Sequence, residues 1–166
     1  MMTKPIAVTY AETDLDALAG VEGRLAVFVP PEGKLDPAGR RLNRLTRGAL
    51  ARLVEGADWE KVTVGEGVAL AWPAGLAATA LMVVKLPRRP GAEDARKAGA
   101  TLAKFKGADA LTLAAGATGR VADLALGLVL RAYDFLDHKP SAADAPKGAT
   151  IMVSKPDALA AEPRIP

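Results

Sequence analysis

The sequence predicts one α/β domain, a three-layer arrangement in which a mixed sheet of about five to six strands carries helices on both faces. Three observations point there. Short apolar runs alternate along the chain with longer stretches of helical periodicity, the pattern of a sheet covered by helices. A length of 166 residues, half of them hydrophobic and a quarter charged, suits one compact core rather than a disordered chain. Aromatics make up only 4% of the residues, so a core of alanine, valine and leucine must be closed by elements that lie near one another.

Taken in order, residues 6–9 read as a first strand. Arg24–Val29 reads as a buried one, because RLAVFV is continuously apolar between Gly23 and Pro30-Pro31. Asp36 before Pro37 is an N-cap followed by a first-turn proline, whose missing N–H costs nothing there. Ala38, Leu42, Leu45, Ala49 and Leu53 then recur at helical spacing as far as Gly56, which predicts one amphipathic helix of about five turns. Residues 61–64 and 68–72 are two β-like stretches parted by Gly65-Glu66-Gly67, a hairpin or a strand with a glycine turn. Residues 79–86, TALMVVKL, give the strongest strand signal.

Residues 92–104 form a second helical stretch. Glu93 and Asp94 stand early, Lys104 and Lys106 late, matching the helix dipole. Its face of Ala95, Ala98, Gly99 and Leu102 is small enough to lie close to a sheet. Residues 109–113 read as a strand, and Gly116-Ala117-Thr118-Gly119 turns into a third helix. There Val121, Leu124, Ala125, Leu128, Ala132 and Phe135 make one apolar stripe, widened by Leu126, Val129 and Leu130. A helix this apolar is buried on more than one side, in the core or at an interface. Ala149–Val153 is a late strand, and the proline-dotted residues 155–166 read as a linker, leaving 1–154 as the domain.

Composition removes several classes of chemistry. The chain has no cysteine, hence no disulfide, thiolate nucleophile or cysteine-held metal, and a reducing compartment is expected. The N-terminal stretch lacks a signal-peptide apolar region, and the longest apolar run, residues 124–130, is too short to span a bilayer. A cytoplasmic protein with no membrane partner is expected. Twenty-two basic against 19 acidic residues give a net charge of +3, a modest excess that does not by itself demand nucleic acid.

Among single residues, His138 is the one histidine. It follows the third helix in YDFLDHK and reads as an exposed loop residue rather than a catalytic one. No metal-ligand cluster, nucleophile motif or Walker sequence is present, so no catalytic, cofactor or metal residue is assigned. Gly65-Glu66-Gly67 begins like a dinucleotide loop, but Leu70 stands where its third glycine belongs.

Two weaker features remain. Gly116, Thr118 and Gly119 join a strand to a helix N-terminus, where backbone N–H groups can receive an anion, although Thr118 as a plain N-cap explains the turn equally well. Arg40, Arg44 and Arg47 follow i, i+4, i+7 spacing on the first helix. Such a row can neutralise nucleic-acid phosphates, or simply be a solvated face; no aromatic interleaves it for base stacking.

Several segments in order also carry a family resemblance: residues 44–50 (RLTRGAL), the 65–67 turn, residues 81–84 (LMVV), residues 95–100 (ARKAGA), and residues 126–135 (LGLVLRAYDF) ahead of Asp137-His138-Lys139. Together they resemble the N-terminal domain of the cytosolic leucyl aminopeptidase family. The resemblance implies a macro-domain-like fold and a separate C-terminal domain that binds two divalent metals, zinc or manganese, and releases N-terminal residues from peptides. The metal-binding lysine, aspartates and glutamate of that family fall beyond the position of Pro166, so none is carried onto this chain. The resemblance further implies that the domain's partners are its own catalytic domain and sister subunits in a hexamer, and, as in some bacterial members, DNA. Two other readings stand beside it: a stand-alone nucleic-acid-binding module, and a macro-type domain holding an ADP-ribose-like ligand at residues 116–119.

Overall fold

The structure, a computed structural model, describes residues 7–137 and 147–154. Six strands form one sheet: β1 (Val8–Glu12), β2 (Arg24–Val29), β3 (Gly67–Ala71), β4 (Ala80–Lys85), β5 (Leu111–Gly116) and β6 (Ala149–Val153), in the spatial order β1-β6-β5-β2-β4-β3. All neighbours pair in parallel except β3, which runs antiparallel to β4 at one edge. The helices are α1 (Pro37–Leu45), α2 (Ala49–Glu55), α3 (Ala57–Lys61), α4 (Ala92–Lys106) and α5 (Val121–Asp137). The expected mixed, three-layer α/β fold is what the chain adopts.

The alternation of side chains in β2 divides the core. Leu25, Val27 and Val29 pack with Ala38, Leu42, Leu50 and Trp59 from α1–α3 on one face. Ala26 and Phe28 point the other way and join Ala98, Leu102, Leu124 and Leu128 from α4 and α5. A strand hydrogen-bonded on both edges and covered on both faces has no polar position to offer, which explains its continuous apolar run. Lys85 ends β4 inside the first cluster. Its Nζ donates to the carbonyl of Trp59 and lies 4.7 Å from the ring centroid, so the buried ammonium is held by a carbonyl and an aromatic face.

The scarcity of aromatics is answered between α4 and α5. A Cβ placed on Gly99 would lie 2.0 Å from the Leu124 carbonyl oxygen, and one on Gly127 would lie 2.1 Å from that of Arg96. The two backbones touch where both glycines stand. The third helix is therefore buried along Val121, Leu124, Ala125, Leu128 and Ala132, while Leu126 and Val129 are half-buried and Leu130 is exposed.

Four expectations are corrected. The single five-turn helix is two helices. Thr46 spends its hydroxyl on the Leu42 carbonyl at 2.8 Å, Arg47 and Gly48 take positive φ values of 58° and 87°, and the Asn43 side chain accepts the Ala51 N–H at 2.9 Å. A side-chain acceptor from one helix thus caps the next. Residues 61–64 are not a strand: Lys61 closes α3, and the chain turns through Gly65 at φ 91° with Glu66 N–H bonded to the Thr63 carbonyl. The strand β3 finds its partner in β4 instead. Thr118 does not cap α5 either, since that helix begins at Val121 behind Arg120, at φ 59°, whose carbonyl accepts the Leu124 N–H. The first strand also sits later than residues 6–9. His138 and the linker reading of 155–166 lie outside the described residues.

The glycine contact yields a prediction. Gly127→Ala should lower the unfolding free energy by about 1–3 kcal/mol or more, because the added methyl meets backbone that cannot swing aside. Gly20→Ala, where nothing stands within 4 Å, should change it little; chemical denaturation of both variants measures the contrast.

Candidate functional site

Open α/β sheets take ligands beside the carboxyl ends of their parallel strands. Here the connections leaving β2, β4 and β5 supply the N-terminus of α1, Arg88 and the 116–119 loop. Asp36 ties them together. As N-cap of α1 it accepts the Gly39 N–H on Oδ1 at 2.7 Å, and its Oδ2 faces Gly116, 3.0 Å from where a Cβ would stand. Gly116 adopts φ 59°, so the absence of a side chain both permits the turn and leaves room for the carboxylate. Burial raises the Asp36 pKa above its ordinary value, opposed by the Gly39 bond and by the nearby charges of Arg88 and Arg40.

The 116–119 loop is occupied by its own protein. The Gly119 N–H donates to the Arg88 carbonyl at 2.9 Å, the Thr118 N–H to Ala115 at 3.1 Å, and the Gly116 carbonyl accepts from Ser154 at 3.0 Å. Two of the amides that an anion would need already have acceptors, and a carboxylate sits against the first glycine. This geometry favours a closed βα turn over a phosphate cradle.

The arginines are arranged differently from the expected row. Arg40 and Arg44 lie exposed on α1 and, with Arg41, Leu15, Asp16 and Pro37, line an open groove of about 270 Å³. Arg47 has left the helix, and its carbonyl accepts from Arg52 Nη1 at 2.8 Å. Arg41, adjacent in sequence but unassigned from it, takes its place in the groove. Its Nη2 stands 3.8 Å from the highly exposed carboxylate of Asp16, and its Nε is buried without a partner among the described residues. Arg40 belongs to both neighbourhoods, because its charge reaches Asp36 as well. The two sequence-level candidates are therefore adjacent and joined through Asp36, a residue legible in the sequence only as a cap.

Such a surface can hold an anion through guanidinium groups. Among the described residues, no three His, Asp or Glu side chains gather closely enough to hold a metal ion. No helix among the described residues is long and apolar enough to cross a membrane.

No protein-family model matches the chain. A probable cytosol aminopeptidase of Dinoroseobacter shibae is 47% identical over 94% of this chain and 32% of its own length. One of Cereibacter sphaeroides is 38% identical over 97% of this chain and 33% of its own. The chain thus spans about a third of the length of these relatives. Among solved structures, a mutant tomato leucine aminopeptidase superposes with a TM-score of 0.67 at 16% identity, over 92% of this chain and 33% of that one. A Trypanosoma brucei macrodomain in complex with ADP-ribose gives 0.61 at 12% identity, over 92% and 66%. The fold is macrodomain-like, and the resemblance to the N-terminal region of cytosolic aminopeptidases, read from ordered motifs, is borne out.

Because Asp36 binds a proton more tightly when folded than when unfolded, its ionisation costs stability as pH rises through its raised pKa, and the cost vanishes in acid. Asp36→Asn, which keeps a capping acceptor, should leave stability equal or higher at pH 7, with the difference shrinking as pH falls into the ordinary carboxylate range. Asp36→Ala should lose about 1 kcal/mol with the cap. Urea denaturation across pH measures both.

Proposed function

Given relatives that are cytosol aminopeptidases three times its length, we propose that this chain is the non-catalytic N-terminal domain of a cytoplasmic leucyl aminopeptidase, a part that helps the whole enzyme assemble. The observation that carries this reading is 47% identity over 94% of the chain confined to 32% of the relative. In this reading the peptidase chemistry, with its two zinc or manganese ions, belongs to the remaining two thirds, and the enzyme releases N-terminal amino acids from peptides. The domain's partners are its own catalytic domain and sister subunits. The purified chain, supplied with manganese or zinc, should not hydrolyse leucine amide above the metal-only blank; turnover that tracks protein concentration would overturn the assignment.

The arginine groove supports a second role, contact with DNA. Three guanidinium groups share one open groove with a single, loosely paired carboxylate, an arrangement suited to successive phosphates rather than to base reading. If the domain binds duplex DNA there, Arg40→Ala and Arg44→Ala should each flatten the logarithmic salt dependence of binding by about one unit. Arg47→Ala, off the helix, should leave it nearly unchanged. Fluorescence anisotropy at several salt concentrations reads the slopes, and equal slopes for all three variants would remove the groove as the site.

A further inference from the structure

The antiparallel edge strand β3 has a feature that neither the sheet nor the arginine groove uses. Its even-numbered residues face β4: Trp72 N–H donates to the Thr79 carbonyl and Lys85 N–H to the Glu66 carbonyl, both at 2.8 Å, in a register that pairs Val68 with Val83 and Leu70 with Leu81. By the alternation of an antiparallel ladder, the N–H and C=O groups of Gly67, Ala69 and Ala71 point outward. Edge strands are normally guarded by charge, proline or a bulge. Gly67–Ala71, GVALA, has none of these.

The strand ends on Trp72, 77% exposed and held at φ 49°. A large aromatic in a left-handed backbone and in open solvent is unfavourable twice over, which is the kind of outlier that accompanies a contact surface. The opposite edge strand, β1, includes Glu12, and its one aromatic, Tyr10, is half-buried.

We propose that this edge is a self-association surface, occupied by β3 of a second copy of this chain across a two-fold axis at Ala69. The occupant follows from the strand's own symmetry. Read outward from Ala69, the sequence is nearly palindromic in side-chain size, with Val68 and Leu70 on one side of the sheet and Gly67, Ala69 and Ala71 on the other. Antiparallel pairing centred there sets Val68 against the partner's Leu70 and small residues against small ones. It completes about six backbone hydrogen bonds from groups that face solvent in one copy.

The same register brings Trp72 opposite the partner's Glu66, whose carboxylate lies 3.7 Å from the ammonium of Lys97. The Lys97 stem already runs along Gly65, where no side chain intrudes, so the aromatic face meets a lysine and its stem. The charged pair is neutral within each copy, and the seam brings no like charges together. The result is one continuous twelve-stranded sheet, built from two copies of the six-stranded one.

This inference deepens the assembly role proposed above, yet its readout is the chain alone. A monomeric chain would leave the aminopeptidase reading intact, and failure of that reading would leave the dimer intact. The seam is short, so a weak, concentration-dependent dimer is expected. Sedimentation velocity of the full chain from about 10 μM to about 1 mM should show the weight-average mass rising toward twice the monomer mass, with dissociation constants in the range of weak interfaces.

Ala69→Lys sets two ammonium groups face to face on the axis and should hold the protein monomeric throughout, with an unchanged circular dichroism spectrum. Trp72→Ser, at an exposed position, should weaken association at least tenfold and serves if the lysine variant folds poorly. A chain monomeric at every concentration overturns the proposal. So does a dimer that persists undiminished in whichever of these variants is folded.

Discussion

One whole layer of this domain depends on the backbone contact between α4 and α5. The sheet is built from small and branched aliphatics, and few aromatic rings are available to fill a gap between layers. The helices must therefore come close enough for Gly99 and Gly127 to meet carbonyl oxygens directly. That approach brings Leu102, Leu124 and Leu128 down onto β2, β5 and β6. A methyl group at either glycine disturbs the layer.

At the carboxyl ends of the strands the protein's own groups fill the space beside the sheet. A crevice at the carboxyl ends of parallel strands is present, as the topology demands. The protein's own carboxylate stands in it, however, and its own carbonyls take the loop amides. A carboxylate at that position repels a phosphate, and protonating it, which burial favours, adds no cation. The usable positive charge lies one turn further along α1, in the open groove of Arg40, Arg41 and Arg44. Likeness to a macrodomain bound to ADP-ribose shows the architecture alone, while the 47% and 38% identities are to about a third of two probable cytosol aminopeptidases.

What could be read from the sequence follows from how local the deciding interaction is. Arg24–Val29 and Ala149–Val153 occur with the bounds expected of them, because a doubly covered strand between turn residues announces itself in any window. The break after Leu45 does not: it depends on Asn43 reaching Ala51 across the turn and on Thr46 bonding back to Leu42, while the apolar spacing continues through it undisturbed. Residues 61–64 alternate like a strand but close a short helix anchored by buried Trp59. Arg47 leaves the row for the same reason as the helix break, and Arg41 enters because the groove wall comes from Leu15 and Asp16, which are distant in sequence. Asp36 was legible as a cap, and only the tertiary fold shows it facing Gly116.

The proposed role, aiding the assembly of an aminopeptidase, requires that this chain can stand in for the matching third of a relative. The most direct measurement replaces that third of the Dinoroseobacter shibae relative with this chain and follows both mass and leucine-amide hydrolysis. The account predicts a chimera that assembles to the same mass as its parent and hydrolyses the amide at a comparable kcat. A chimera in which this domain is folded, yet which neither assembles nor turns over substrate, would contradict it.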